Sequence, residues 1–446
     1  MIGGTGELRR ELGLASAALL VVGGIIGSGI FFTPAETARA LPTAAQVFAV
    51  WLVGGVIALA GALTYAELGA MMPDAGGAYV YIRRAFGPLP AFLYGWMLLL
   101  SIGTGALAAV AMGFAGYLAR FVDLAPVGGP IGVAGATIAL LTVTNYLGVK
   151  PGAFVQNVLA VAKILALGAL ILLGLALWTR LGAPPLVADP PAAREPAAAG
   201  WAAALVAVLF TIGGWQQMNA VAGEIRDPAR TIPRALFLGI AIVIAIYLGT
   251  NAVYLRALGR DGVAASQAVA ADTAERLVGP DGGTFIAIAA MLSILGFVNV
   301  VVLATPRVFF AMARDGVFPA AAAKVHPRFG TPHVSIALIG VCAIALLLAT
   351  RGEIGALLSG VVFADWIFFG LGAASVFVLR RRFPEEPRPY RALGYPLVSG
   401  FFVAKAAFGV ASAIVAAPGS SLIGVGLLAA GVVAYHIFRR QGRVGA

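Results

Sequence analysis

The sequence predicts an all-α integral membrane protein with about twelve transmembrane helices, of which ten form two inverted repeats of five. Three observations lead to this prediction. Of the 446 residues, 61% are hydrophobic and only 11% are charged, whereas soluble domains carry about 25% charged residues. Apolar stretches near the ~20 residues that cross a bilayer recur along the whole chain. Two of these stretches are interrupted by glycines at corresponding places in the two halves.

Twelve apolar stretches can be delimited along the chain. Their predicted bounds are 14–38, 44–68, 88–121, 131–147, 151–178, 200–222, 232–258, 284–313, 333–349, 354–379, 395–416 and 422–438. We predict a first repeat at 1–178, an extracellular loop rich in Pro and Ala at 179–199, a second repeat at 200–380, and helices 11 and 12 with a cytoplasmic tail at 381–446. An odd number of helices in each repeat forces the second repeat to insert upside down relative to the first.

Basic residues are distributed unevenly between the two sides of the predicted membrane. With the N-terminus inside, 20 of the 30 Lys and Arg residues fall on the cytoplasmic side and 8 fall outside, while Lys163 and Lys405 fall within spans. This bias predicts a multi-pass cell membrane protein with both termini in the cytoplasm. The net charge of +11 is spread over many short loops and forms no basic stripe. We therefore expect the lipid bilayer, and no nucleic acid, as a partner.

Residue types that build metal, redox or catalytic sites are scarce. Cys342 is the only cysteine and lies within a predicted span, and the three histidines lie at helix ends or in loops. These residues form neither an intrachain disulfide nor a ligand cluster. Acids near the middle of the membrane are too few to form a catalytic pair. The sequence thus predicts no metal and no cofactor, and a protein that is not an enzyme.

The first apolar stretch is interrupted at 22–31, which reads VGGIIGSGIF. A helix that breaks within the membrane exposes backbone groups, and such breaks persist only where protein or a ligand takes over their hydrogen bonds. Ser28, Gly29 and Ile30 would begin the second half-helix, and their free N–H groups favour an anion such as a carboxylate. The carbonyl groups that end the first half-helix, near 22–25, favour an ammonium group.

The sixth stretch carries a matching break at 209–215, which reads LFTIGGW. Carbonyl groups near Phe210, Thr211 and Ile212 would face the same central space as the first break. One glycine break alone is explained as well by close helix packing, but two breaks in corresponding places indicate a transporter's substrate site. A carboxylate site beside an ammonium site describes an α-amino acid. The substrate-binding residues predicted from the two breaks are Ile25, Ile26, Gly27, Ser28, Gly29, Ile30, Phe210, Thr211, Ile212 and Gly213.

Several unlinked motifs occur in an order that resembles the amino acid–polyamine–organocation (APC) superfamily. They are 8–14 (LRRELGL), 24–31 (GIIGSGIF), 65–69 (YAELG), 76–82 (GGAYVYI), 86–87 (FG), 213–215 (GGW) with Asn219 and Glu224, 226–235 (RDPARTIPRA) and 311–316 (AMARDG). Together they are most similar to the L-type amino acid transporter branch and its bacterial alanine-serine-cysteine exchanger relatives. The resemblance covers the first ten spans. It implies the LeuT-like fold with helices 1 and 6 broken, and transport of amino acids by alternating access.

Lys163 is the most unusual single residue, because it stands 13 residues after Lys150 and 15 before Trp178 and so lies near mid-membrane. A cation there costs at least ~2.5 kcal/mol and marks a functional site by default. The resemblance implies that Lys163 occupies the place where sodium-driven relatives of the fold bind Na⁺, and that it contacts the first break near Gly27. Transport would then be independent of sodium.

Further side chains are candidates for the pocket or its gates. The resemblance implies that Phe210 is a gate that closes over the substrate from outside. It also implies that Gln216 belongs to the pocket, where many L-type relatives carry Asn or Asp. Candidates for an inner gate or a structural network lie toward the cytoplasmic ends of their spans and are Glu67, Glu224 and Arg307. Residues that either line the pocket or make interhelical hydrogen bonds are Ser101, Thr104, Asn145, Tyr146 and Asn299.

The sequence is compatible with two functions. The first is secondary transport of neutral L-amino acids by sodium-independent exchange or facilitated diffusion. The alternative is proton-coupled symport, or transport of cationic amino acids or polyamines, through the mid-membrane acid Asp365, for which a structural hydrogen-bonding role is equally open. Eukaryotic L-type members join an ancillary glycoprotein through a cysteine in the outer loop between spans three and four. The corresponding segment 120–130 contains no cysteine, so we expect no disulfide-linked subunit.

Overall fold

The computed structural model describes residues 8–182, 197–353, 355 and 361–444. Within these ranges the chain is almost entirely helical, and the nearest approach to a strand is an isolated bridge between Leu12 and Ile225. Eight of the described helices are long and apolar enough to span a membrane, or nine if the bent pair at the first break counts as one span. The prediction of an all-α membrane protein is confirmed. The count of twelve spans and the inverted repeat stay predictions.

From residue 8 to the predicted extracellular loop the chain forms eight α-helices, and each predicted stretch there coincides with a helix or a helix pair. They are α1 (Leu14–Ile25), α2 (Gly29–Ala40), α3 (Ala44–Met71), α4 (Ala78–Phe86), α5 (Pro88–Met97), α6 (Gly103–Leu118), α7 (Gly129–Tyr146) and α8 (Val149–Ala176). A π-helical turn, Leu98–Ile102, joins α5 to α6 within one continuous span. Such turns are rare and often lie at functional sites.

The described residues of the remaining part form ten further α-helices. They are α9 (Ala197–Thr211), α10 (Gln217–Ala220), α11 (Pro228–Ala265), α12 (Val269–Val278), α13 (Asp281–Ala304), α14 (Pro306–Arg314), α15 (His333–Ala349), α16 (Val361–Arg382), α17 (Leu397–Ala416) and α18 (Pro418–Val444). Most of the predicted loop 179–199 and the start of the tenth stretch lie outside the described residues. Helix α11 packs against α1 and α3, while α13 packs against α1 and α8.

Glycines bring the two breaks into contact. Helices α1 and α2 are bent by 45° at the first break. A Cβ atom built on Gly24 would lie only 2.8 Å from the carbonyl oxygen of Gly214, and a side chain on Gly214 would collide with the carbonyl of Gly24. Gly214 also has φ +100°, a conformation that side chains rarely adopt. The residues that break the helices therefore also allow the two broken backbones to meet.

Candidate substrate site between the two helix breaks

A cavity of about 810 Å³ lies against both breaks, with walls from α2, α6, α9, α13 and α16. Most of the predicted substrate-binding residues line it: Ile25, Gly27, Ser28, Gly29, Phe210, Thr211, Gly213 and Gln216. The side chains of Ile26, Ile30 and Ile212 are instead buried in the surrounding apolar core. The sequence thus identifies the segments that surround the cavity, and the bend of each break decides which residues face it. Binding of a substrate by these residues stays a prediction.

The carbonyl groups of the first break are held by side chains from other helices. The hydroxyl of Ser293, on α13, lies 3.0 Å from the carbonyl oxygen of Ile26 and 2.8 Å from that of Gly27. The hydroxyl of Tyr247, on α11, lies 3.3 Å from the carbonyl oxygen of Ile25. The first N–H groups of α2, beginning at Gly29, have no preceding helical turn to pair with. The break therefore offers the cavity free donors at one end and anchored carbonyls at the other.

The second break is tied to the first by hydroxyl groups. Tyr247 also lies 3.4 Å from the carbonyl oxygen of Thr211, so its hydroxyl reaches both breaks. The hydroxyls of Thr33 and Thr211 are hydrogen-bonded at 2.7 Å and join α2 to the end of α9. Gln216, a predicted pocket residue, accepts a hydrogen bond at 3.1 Å from the backbone N–H of Gly214 and so braces the break itself. These contacts hold the two breaks in a fixed mutual orientation.

Lys163 lies behind the first break and is 1% exposed. Its ammonium donates to the carbonyl oxygen of Ile26 at 2.5 Å and to that of Ser293 at 3.0 Å. A third carbonyl, that of Gly23, lies at 3.5 Å. The contact with the first break that the resemblance implies is therefore present, and it also links α8 to α13. Three backbone carbonyl oxygens therefore lie around the ammonium, and the replacement of a bound Na⁺ by Lys163 stays a prediction.

The exposure of the lining residues shows where the cavity opens. Phe210 lines the cavity and is 53% exposed, and its role as an outer gate stays a prediction. Glu36 and Arg120, also lining residues, are exposed. Val308 and Ala78, at the other end of the lining, are buried. The mouth of the cavity therefore lies at the side of Glu36 and Arg120.

Asp365 faces the cavity from α16, beside Trp366 and Phe369. Among the described residues its carboxyl group takes part in no ion pair and no hydrogen bond. This distinguishes it from the other predicted gating acids, which are paired. Asp365 therefore remains available to a ligand or a proton within the cavity.

Glu224 and Arg307 form a buried ion pair on the side opposite the mouth. Two guanidinium nitrogens of Arg307 each lie 2.8 Å from a carboxylate oxygen of Glu224, and the two side chains are 1% and 0% exposed. The backbone carbonyl of Glu224 accepts hydrogen bonds from the N–H groups of Glu11 and Leu12 at 2.8 and 2.9 Å. Glu224, which follows the second break along the chain, thus binds both Arg307 at the start of α14 and the N-terminal segment.

Glu67 forms a second network on the same side. Arg380 donates to its two carboxylate oxygens at 2.9 and 2.6 Å, and the backbone N–H of Ala392 donates to it at 2.7 Å. Arg388 lies 3.4 Å from the same carboxylate. This network joins α3 to α16 and to the segment that follows α16. For both networks, the role of an inner gate stays a prediction.

The remaining polar candidates do not line the cavity. Asn145 donates at 2.8 Å to the side chain of Asn299, which donates at 3.0 Å to the carbonyl of Gly152. The hydroxyl of Thr104 donates at 2.8 Å to the carbonyl of Leu99, across the π-helical turn. Tyr146 packs edge-on against two histidine rings, and Ser101 is buried. Asn145 and Asn299 therefore make interhelical hydrogen bonds, the second of the two predicted alternatives.

Comparison with known proteins places the chain beside amino acid transporters. Residues 12–437 match the amino acid permease family. The chain is 31% identical to the serine/threonine exchanger SteT of Bacillus subtilis, over 97% of this chain and 98% of that protein. It is 33% identical to the large neutral amino acids transporter small subunit 2 of Rattus norvegicus, over 98% of this chain and 82% of that protein. It is 31% identical to the human cystine/glutamate transporter, over 97% of this chain and 86% of that protein.

Proposed function

The chain belongs to the amino acid permease family, and we propose that it is a secondary transporter of neutral L-amino acids that works by sodium-independent exchange or facilitated diffusion. Family membership confirms the resemblance drawn from the motifs. One observation above all supports the proposal: the cavity is bordered by the start of α2 and by the carbonyl groups of both breaks. These are the groups that recognise a carboxylate and an ammonium a short distance apart.

We propose that each part of an α-amino acid binds to a different wall. The carboxylate would accept hydrogen bonds from the backbone N–H groups at Ser28 and Gly29, where the dipole of α2 favours negative charge. The ammonium would donate to the carbonyl oxygens of Ile25 and Thr211, which Tyr247 already holds near each other. The side chain would extend toward apolar lining residues of α6 and α16, namely Ala106, Ala109, Trp366 and Phe369. Such walls favour a neutral side chain.

The two sides of the molecule support alternating access. The cavity mouth lies at the end of α2 and α6, which the charge distribution assigns to the outside, and the two ion-pair networks lie at the cytoplasmic side. We infer that the structure is the outward-facing state of a cell membrane protein with cytoplasmic termini. We further propose that the chain works without a disulfide-linked subunit, because its only cysteine, Cys342, lies within α15.

Uptake should be independent of sodium, because Lys163 already supplies a positive charge to the carbonyl of Ile26. The purified protein would be reconstituted in proteoliposomes preloaded with a neutral amino acid, and uptake of the labelled amino acid would be followed in sodium or choline chloride. We expect equal initial rates in the two salts, and faster uptake with preloading if exchange is the mechanism. Loss of uptake in choline would contradict the proposal. Empty liposomes provide the background.

Proton coupling through Asp365 is the second candidate, because this acid faces the cavity without a partner among the described residues. Our proposal predicts that an imposed pH gradient changes the rate of neutral amino acid uptake equally in the wild type and in Asp365→Asn. Initial rates would be measured after a pH jump in proteoliposomes of both proteins. A response that the wild type shows and Asp365→Asn lacks would favour the symport mechanism instead.

A further inference from the structure

Lys405 is a second lysine within the membrane, and nothing in the proposed transport step uses it. It lies in the middle of α17 and is 7% exposed. Its ammonium is buried and has no hydrogen-bond partner among the described residues. A buried cation without hydrogen bonds is unfavourable unless another group stabilises it. The structure shows which group takes that place.

The indole of Trp366 stabilises Lys405. The Nζ atom lies 3.1 Å from the ring centroid, in the geometry of a cation–π contact. Gly409, one turn further along α17, allows the ring to lie against that helix, because a Cβ atom there would come within 2.7 Å of the indole. Two features of α17, a lysine that attracts the ring and a glycine that makes room for it, thus act on the same side chain of α16.

Trp366 is also part of the wall of the substrate cavity. Its ring meets Phe369 edge-on at a centroid distance of 5.5 Å, and Phe369 stacks at 6.5 Å on Trp215, which lies within the second break. A change in the orientation of the indole would therefore alter the cavity wall and its aromatic neighbours. Lys405 does not line the cavity and acts on it only through Trp366.

We propose that Lys405 is a positioning residue that fixes the indole of Trp366 and thereby sets which side chains the transporter accepts. This inference rests on the proposed transport of neutral amino acids. The contact orients a large ring at the end of the cavity where the substrate side chain would lie. Without the ammonium, the ring gains rotational freedom, and the discrimination between small and large side chains weakens.

The variant Lys405→Met tests this proposal because methionine keeps the length and the apolar packing of the side chain but removes the charge. Values of kcat/KM for L-alanine and L-leucine would be measured in proteoliposomes. We expect the alanine-to-leucine ratio to change by about twofold to thirtyfold, the range that corresponds to the strength of a cation–π contact. Lys405→Arg, which keeps the positive charge, should keep the ratio near the wild-type value. Lys324→Met, at an exposed lysine, is the matched control and should leave the ratio unchanged.

A double-mutant cycle separates positioning from simple stabilisation of the helix pair. In the Trp366→Leu background, which lacks the ring, Lys405→Met should cause no further change in the ratio. A lower melting temperature with an unchanged ratio, or an equal change with and without the ring, would overturn the proposal. Absence of uptake of any amino acid by the wild type would instead refute the proposed function, so the two failures are distinguishable.

Discussion

Replacing Lys163 by methionine is expected to lower the initial rate of amino acid uptake by about tenfold to hundredfold. The ammonium donates to the carbonyl oxygens of Ile26 and Ser293, and a hydrogen bond to a charged group contributes about 1.5–3 kcal/mol. Methionine has a similar length but no donor, so the carbonyl of Ile26 keeps only the hydroxyl of Ser293. The first break would lose the group that fixes its position relative to α8.

The loss of transport must be separated from a loss of folded protein. Uptake would be normalised to the amount of monodisperse protein reconstituted, and the melting temperature of each variant would be measured. Leu165→Met is the matched control, because Leu165 lies on the same helix and is 66% exposed on its outer face. We expect the control to transport like the wild type. If Lys163→Met folds and transports at the wild-type rate, Lys163 does not support the break.

The position of the broken helices could be predicted from the sequence because glycine runs within long apolar stretches are a local signal. The first break lies at 26–28, within the predicted segment, and the second follows Thr211. What the sequence does not contain is the rotation of each helix about its axis. Ile26, Ile30 and Ile212 lie in the same segments as the lining residues and yet face the core.

The side chains from distant helices that hydrogen-bond to the breaks cannot be predicted from the sequence. Tyr247 and Ser293 are 222 and 267 residues from their partners in the first break. A tyrosine or serine within an apolar span is a common feature, so neither residue is a distinctive local signal. Lys163 was recognisable because a lysine at mid-membrane is rare. The cost of burying a charge makes lysine informative, whereas hydroxyl groups are tolerated in many places.

The π-helical turn at Leu98–Ile102 also has no evident sequence signal. It lies within an uninterrupted apolar stretch, and two of its residues, Leu98 and Ile102, line the cavity. Gly103 accommodates it, because a Cβ atom there would lie 2.6 Å from the carbonyl oxygen of Leu98. Glycine occurs 58 times in the chain. No single glycine therefore predicts such a turn.

The buried ion pair of Glu224 and Arg307 is expected to have the largest effect on stability. Removing one partner leaves the other charge buried without compensation, which costs about 3–5 kcal/mol. We therefore expect Glu224→Gln or Arg307→Met to lower the free energy of unfolding by about that amount, and the double variant to lower it by less than the sum. Chemical unfolding in detergent, followed by tryptophan fluorescence, measures all three.

An exposed ion pair on the same side of the molecule provides the control. Arg83 and Asp315 lie 3.0 Å apart with 44% and 25% exposed side chains, so Arg83→Met should cost less than about 1 kcal/mol. The Glu224 variant should also free the N-terminal segment, because the backbone carbonyl that binds Glu11 and Leu12 belongs to the residue anchored by Arg307. Faster amide exchange at Leu12 would show this release. Unchanged exchange together with full stability would mean that the pair supports neither the fold nor the attachment of the N-terminal segment.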